Sequence, residues 1–451
     1  MSPDRHVVAV FGGACAGSTA ADILGAHGVD VVVFEQNARP YGKIEDGLPR
    51  WHSGQRRMEY RRIDARLSRP GVHLVPNTRL GTDLQFTDVV HWGWSAVLLA
   101  NGAWRDRPLD LPGAERWVGR GLVYQNPFIY WFNHAPEASY RGPRFEVPPG
   151  AICIGGGLAS IDVVKVFQLE LYGRVLRDRG IEVSMYDLEH AGIPATCRAH
   201  GIEDPHQLGV ADSWLVYRRR VEDMPLAQAP PGATPEQVAK TEFVRRKMLA
   251  KAQEKYLFHM RPQAIPLSLL IEADHVAGVR FMETQLQGGR LVEQPDHTFE
   301  LRSPLVVSAI GSLPESIPGI VMKGTFYDYA DWDTGAYAPV SGVFGVGNVV
   351  TGRGNIKASE HHSKDVAAYL VEHYLGVQGE EAPRTVEGLF DQASARGEAA
   401  AAHVVTYLSE HPPLPAAQAE SLLARVRARQ QSVGYQDYAS WMTRVTPPDA
   451  E

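Results

Sequence analysis

The sequence predicts an α/β protein with two Rossmann-like dinucleotide-binding domains, the first of them discontinuous, and a helical C-terminal tail. Three observations carry this reading. Residues 7–17, VVAVFGGACAG, are a short apolar strand running into a glycine-rich turn. Residues 151–157, AICIGGG, repeat the pattern and lead into the helical LASIDVVKV. The strand VDVVVFEQ, which follows the first unit, ends in Glu35. A strand, a glycine turn and a helix start together cradle a phosphate, and an acid at the end of the next strand is placed to bind ribose hydroxyls.

Bulk properties narrow the classes. A chain of 451 residues suggests two or three domains. A formal net charge of −7 provides no global basic field and argues against a nucleic-acid partner. Cys15, Cys153 and Cys197 form no C-x-x-C pair, so no redox dithiol, iron–sulfur or other metal site is expected. Sparse cysteine fits a reducing cytoplasm. No apolar run of about 18 residues occurs, so membrane insertion is not expected. HVVAVFGGACAGSTAA is not taken as a secretory signal, because its apolar core is short and Asp4 lies beside Arg5.

In the first unit, Gly12 and Gly17 hold the tight-turn and helix-packing positions of G-x-G-x-x-G, and Ala14 stands at the second glycine position. Its methyl is expected to push a pyrophosphate outward or shift the loop. The helix STAADILGAHG stops at Gly28. Next comes PYGKIEDGLPRWH, residues 40–52, where Gly42 and Gly47 let the backbone pass close to a flat ligand. Gly42 and Lys43 are candidate cofactor contacts. His52 is a titratable candidate for the reacting centre, or else an ordinary loop histidine. VPNTRLGTDL and WSAVLLANGA supply later strands and turns of this domain.

The second loop offers Gly155, Gly156, Gly157 and the helix opener Leu158, with the small Ser160 keeping helix and strand close. Two such loops imply two facing nucleotides between which electrons can pass. GIEVSMYDLEHAG is expected to be a strand ending at Asp187 or Glu189, which alone would point to NAD. The apolar SWLVY then runs into Arg218, Arg219 and Arg220. Planar guanidinium groups suit a 2′-phosphate. Side chains alternate along an extended segment, so two of the three can converge on one anion. The alternative is a solvated strand end paired with Glu222 and Asp223.

Beyond this lie the charged helix QVAKTEFVRRKMLAKAQEKYL and the strands HVAGVRFMETQL and FELRSPLVVSAIGS. GVGNVVTGRGNIKAS, residues 345–359, is a third glycine-rich turn whose amides can meet a ligand's polar edge. Gly347, Asn348, Gly354, Asn355 and Ile356 are its candidate contacts. Helices then run to the end, broken by EHPPLPAAQ, the last being AESLLARVRARQQ. The expected first domain spans 1–113 and 319–378, the second 114–318, and the helical extension 379–451. GQRRMEYRRIDARL and Arg245–Lys247 read as charged helix faces, solvated or serving as a docking surface for an acidic protein.

Taken together, YGKIEDGLPRWH, LLANGA, WFNHAPE, GGGLASIDVVK, YRRRVEDMP, LFHMRPQAIP and FGVGNVVTGRGNIKAS resemble, in order, the adrenodoxin-reductase-type ferredoxin–NADP reductases. They are also similar to the glutamate synthase small subunit, another two-dinucleotide-domain flavoprotein. The likeness runs over about residues 7–400. It implies non-covalent FAD, NADPH as donor, and a ferredoxin-like protein as electron acceptor. Under it, Gly12, Gly17 and Glu35 hold the FAD adenosine and pyrophosphate. Gly347, Gly354 and Ile356 lie along the flavin, Gly155, Gly157 and the arginines hold NADPH, and His52 lies near the flavin–nicotinamide region. Asn348 departs from a tryptophan usual in the ferredoxin reductases, and residues 181–212 look inserted. Direct action on a small organic substrate, or electron channelling within a larger complex, are the other readings.

Overall fold

The computed structural model describes residues 4–227, 229, 232–350 and 391–447. In chain order, β1 (Val7–Phe11), α1 (Cys15–Ala26) and β2 (Asp30–Phe34) form the first unit. Then come α2 (Lys43–Asp46), α3 (Ser53–Leu67), β3 (Val72–Val75), α4 (Phe86–His91), β4 (Ala96–Leu99) and β5 (Arg105–Asp106). Next are β6 (Leu122–Tyr124), α5 (Gln125–His134), β7 (Ile152–Gly155), α6 (Leu158–Asp178), α7 (Met185–Ala191), α8 (Ile193–Ala199) and β8 (Trp214–Val216). They are followed by α9 (Pro235–Tyr256), β9 (His259–Arg261), β10 (Ala264–Glu272), β11 (His275–Gln287), β12 (Arg290–Arg302), β13 (Val306–Ala309) and β14 (Ser312–Leu313). The small strands β15 (Met322–Lys323), β16 (Phe326–Tyr327), β17 (Tyr329–Asp331), β18 (Ala336–Tyr337) and β19 (Val343–Gly345) precede α10 (Asp391–Ser409), α11 (Ala416–Ser432) and α12 (Tyr438–Val445).

β1 and β2 are apolar throughout except Asp30 and almost wholly buried, which is what a parallel strand covered on both faces requires. They pair in parallel within a seven-stranded sheet ordered β17-β18-β19-β4-β1-β2-β3. β19, near residue 344, thus pairs with β4 in the sheet founded by residues 7–34. A second sheet, β6-β13-β7-β8-β9, is parallel throughout. The antiparallel meander β10-β11-β12 packs its apolar face, including Val279 and Phe281, against Val306 and Ile152 of that second sheet. The two-stranded ribbon β5–β14 lies between the two large sheets in the chain.

Residues 181–184 form no strand. Ser184 instead caps α7, its hydroxyl accepting the Asp187 N–H at 3.0 Å, so Asp187 and Glu189 lie on a helix. Such a local cap competes effectively with extended backbone. The place beside β7 goes to β8, the strand that runs into the arginines.

The C-terminal helices pack on the first sheet's unit. A Cβ on Gly397 of α10 would lie 2.4 Å from the Ala16 carbonyl oxygen, so α10 rides directly on α1. On α11, Arg429 donates to Thr78 and to the Asn77 carbonyl. α12 lies beyond AESLLARVRARQQ, expected to be the last helix, and its Trp441 donates to the Ala38 carbonyl at 2.8 Å.

Candidate functional site

At the C-terminal edge of β1 the chain turns at Gly12 with φ +107°, a conformation that favours glycine. A Cβ there would sit 2.4 Å from the Ala100 carbonyl oxygen, and one on Gly17 would sit 1.9 Å from the Gly12 carbonyl oxygen. Gly17 therefore serves the packing of α1 under the turn. Ala14 is accommodated by Gly42: a Cβ added to Gly42 would meet the Ala14 methyl at 2.9 Å. The alanine is matched by the absence of a side chain across from it.

Glu35 ends β2 and is 4% exposed. One carboxylate oxygen accepts the Gly13 N–H at 2.8 Å and the other the Asn37 N–H at 2.9 Å. Burial pushes its carboxyl up to about 7 despite these bonds. The acid and the glycine turn are thus tied together in the wall of a cleft open to solvent, with about 930 Å³ of empty space including that solvent. Gly12, Ala14, Glu35, Gly42, Lys43, Trp104, Gly347 and Asn348 all line it. Gly347 has φ +73° and packs against Ala16, while Asn348 accepts a hydrogen bond from Arg396 of α10 at 3.1 Å. Gly354, Asn355 and Ile356 lie outside the described residues. The lining suits a dinucleotide: a buried acid, a glycine turn where a Cβ would intrude, and the glycine backbone of Gly42 and Gly347.

His52 does not line that cleft. It is buried, beside Trp51 and close to Lys165 and Glu189, and burial followed by the Lys165 charge lowers its pKa to about 3. Lys165 of α6 is fully buried. Its ammonium donates to Glu189 at 2.8 Å and lies 4.4 Å from the Trp51 ring and 4.7 Å from the Tyr256 ring. Tyr256 of α9 donates to the same Glu189 oxygen at 2.8 Å. Burial alone would raise the Glu189 carboxyl, but the Lys165 ammonium overrides it and holds it at about 2. The sequence offered no signal for this cluster, which joins α6, α7 and α9 to the segment carrying His52.

Two residues of WFNHAPE brace the same loop. Asn133 donates to the carbonyls of Glu45 and Leu48 and accepts the Arg50 N–H. Both ring nitrogens of His134 reach carboxylates, Glu137 at 2.8 Å and Asp46 at 3.0 Å. Burial disfavours the charged ring, but these two acids outweigh it and raise its pKa to about 9. A raised histidine stabilises the fold fully below its unfolded value near 6.5. Thermal unfolding should therefore show stability lost from about pH 6.5 upward through about pH 9, and His134→Asn should remove that slope.

At the second sheet, Gly155, Gly157 and Leu158 form the turn into α6. A Cβ on Gly155 would meet the Ala309 carbonyl oxygen at 2.5 Å, whereas nothing lies closer than 4.0 Å to one on Gly157. The Tyr217 ring covers Gly156. Immediately beyond it the arginines divide. Arg220 pairs with Asp223 at 3.0 and 2.9 Å. Arg218 and Arg219 are exposed and, among the described residues, make no ion pair. Of the expected site residues, the first cleft brings together Gly12, Ala14, Glu35, Gly42, Lys43, Gly347 and Asn348. Gly155, Gly157, Leu158, Arg218 and Arg219 gather at the second sheet.

No family model matches the chain. It is 24% identical over 399 residues to the small chain of glutamate synthase [NADPH] of Mycobacterium tuberculosis, covering 84% of this chain and 69% of that protein. It is 27% identical over 166 residues to the mitochondrial NADPH:adrenodoxin oxidoreductase of Arabidopsis thaliana, a match spanning 36% of this chain and only 32% of that protein. Its fold is that of Mycobacterium tuberculosis FprA, solved in complex with NADPH, with a TM-score of 0.66 and 16% identity, covering 95% of this chain and 91% of that one. The resemblance read from the motifs is therefore matched by relatives of both named types. No helix among the described residues is long and apolar enough to cross a membrane.

Proposed function

We propose that this chain, a relative of the adrenodoxin-reductase and glutamate-synthase small-chain reductases, is an FAD-dependent NADPH oxidoreductase that passes electrons to a ferredoxin-like acceptor protein. The observation that carries the reading is the presence, in one chain, of two sheets, one parallel throughout and one with the parallel core β19-β4-β1-β2-β3, whose strands β1 and β7 each run into a glycine turn and a helix start, with an acid at the first and two open arginines at the second. FAD belongs in the first cleft, within a unit of residues 1–113 and 319–378, and NADPH in a unit of residues 114–318.

In this reading Gly12 and Ala14 offer backbone to the pyrophosphate, Glu35 accepts from the adenosine ribose, and Gly347 lies along the ring system. Gly155, Gly157 and Leu158 receive the NADPH pyrophosphate at the start of α6. Arg218 and Arg219 take the 2′-phosphate. When bound, the flavin would accept a hydride from the nicotinamide and release electrons to the acceptor. The chain supplies geometry and charge: Asn133 and His134 brace the loop that follows Gly42 and Lys43, bonding Glu45, Asp46, Leu48 and Arg50. The likeness to the family implies a role for His52 near the reacting rings; burial keeps this side chain neutral beside Trp51 and Lys165, behind the cleft wall. Buried, unpaired Cys15, Cys153 and Cys197 suit a cytoplasmic setting.

The purified protein is expected to show a flavin absorbance spectrum, to bleach on mixing with NADPH in a stopped-flow instrument, and to recover colour on mixing with oxidised ferredoxin. A colourless protein that cannot be reconstituted with FAD would refute the cofactor reading. Rapid bleaching with no reoxidation by ferredoxins would refute the acceptor and favour a small-molecule oxidant.

A further inference from the structure

Lys43 opens α2, directly after the Gly42 that faces Ala14, and its side chain lines the first cleft. Its ammonium donates to the Asn126 side-chain oxygen of α5 at 3.1 Å and to the Ser312 hydroxyl of β14 at 3.0 Å. The Trp104 ring, also in the cleft wall, lies 5.6 Å away. Both hydrogen-bond partners are neutral, and no carboxylate of the described residues is within ion-pair distance. The acid whose charge reaches it is Asp106 of β5, whose side chain is itself engaged by the Asn126 N–H at 3.2 Å. Asn126 also donates to the Trp104 carbonyl and to Ser312, so one amide holds the whole group in place.

A largely desolvated ammonium that has neutral hydrogen-bond partners and no carboxylate of the described residues in direct contact is costly, and a fold that retains one in a ligand cleft implies that an anion arrives there. Burial lowers this amine to about 8, the Asp106 charge partly opposing. The position in the cleft indicates which part of the ligand brings the charge. Glu35 anchors the adenosine end, and the glycine turn takes the pyrophosphate. Lys43 reaches instead to α5 and β14, which directly follow β6 and β13 of the second sheet, on the side where the ring of one nucleotide would meet the ring of the other.

We propose that the Lys43 ammonium is the electrostatic partner of the reduced flavin ring and sets its reduction potential. The inference rests on the FAD reading above. Hydride addition brings two electrons and one proton to the ring and leaves the nicotinamide oxidised. The ring then carries one more negative charge than before, and the lysine compensates it in a site of low dielectric. Lys43 thereby favours electron uptake from NADPH and disfavours onward release, which makes it the residue that sets the acceptor potential this protein can serve.

The test is a dye-coupled redox titration of the FAD-loaded wild type, Lys43→Met, Lys43→Gln and Lys43→Arg proteins between pH 6 and pH 10. Neutral variants are expected to lower the reduction equilibrium constant about 10–100-fold near pH 7, equivalent to about 30–60 mV for a two-electron couple. Lys43→Arg should stay within about threefold. The wild-type midpoint should fall more steeply with pH above about 8, because reduction then draws a proton onto Lys43, and neutral variants should lack that extra slope. FAD-loaded Lys43→Met or Lys43→Gln with wild-type potential and pH slope would overturn the inference while leaving the FAD reading intact. Loss of FAD from both neutral variants but not from Lys43→Arg would reassign the charge to the pyrophosphate and overturn it too. A wild-type protein that takes up no FAD would overturn the functional reading itself, and the inference with it.

Discussion

Arg218→Ala combined with Arg219→Ala is expected to raise the KM for NADPH on the order of 100-fold and to leave that for NADH within about threefold. Hydrogen bonds to a charged group contribute about 1.5–3 kcal/mol each, so one lost guanidinium corresponds to about tenfold or more. The structure supplies an internal control in the third arginine. Arg220 is already held by Asp223 through two hydrogen bonds and lies 3.8 Å from Glu242. Arg220→Ala should therefore change both cofactors alike, through the packing of this turn. Steady-state kinetics with the two dinucleotides settles the matter. Equal losses with NADPH and NADH in the double variant would return Arg218 and Arg219 to the solvated surface.

Lys165→Met is expected to destabilise the protein by about 3–5 kcal/mol, because it strands the Glu189 carboxylate in the interior. It also removes a cation from between the Trp51 and Tyr256 rings. The double variant Lys165→Met, Glu189→Gln should recover most of the loss, since Tyr256 can still donate to the amide oxygen. Denaturant unfolding of the three proteins provides the measurement, and a double variant no more stable than the single one would contradict the argument. The pH dependence has a fixed sign. Glu189 is depressed in the fold, so its contribution is present above an unfolded value near 4.3 and is lost as pH falls toward about 2. Wild-type stability should show that acid limb, and the double variant should lack its share of it.

The legible parts of the site were those in which a few adjacent residues meet a backbone requirement. Gly12 must turn at φ +107° under the Ala100 carbonyl, and Gly17 must let α1 approach Gly12. Both needs lie within six residues and leave a readable spacing. Glu35 was legible for the same reason, at the end of a strand in register with the first. The strand expected in GIEVSMYDLEHAG, with Asp187 or Glu189 at its end, failed because β-favouring residues there are overruled by the Ser184 cap, and the position beside β7 could be filled by either segment. Asp187 and Glu189 accordingly end no strand: they lie on a helix, where one bonds Ser184 and the other Lys165.

Apolar strands, glycine turns and the order of motifs were enough, on their own, to determine two dinucleotide-type units, because strand burial and backbone handedness are local properties of a few consecutive side chains. The use of each charge was decided only in three dimensions. Arg218 and Arg219 stand open while Arg220 is paired, Lys43 lines a cleft with neutral partners, and His52 lies beside Lys165 rather than in the cleft wall. Those differences come from desolvation and from partners 24, 83 and 269 residues distant in the chain. Charge in a protein is governed by which groups are brought together away from water, and that is a property of the packed fold.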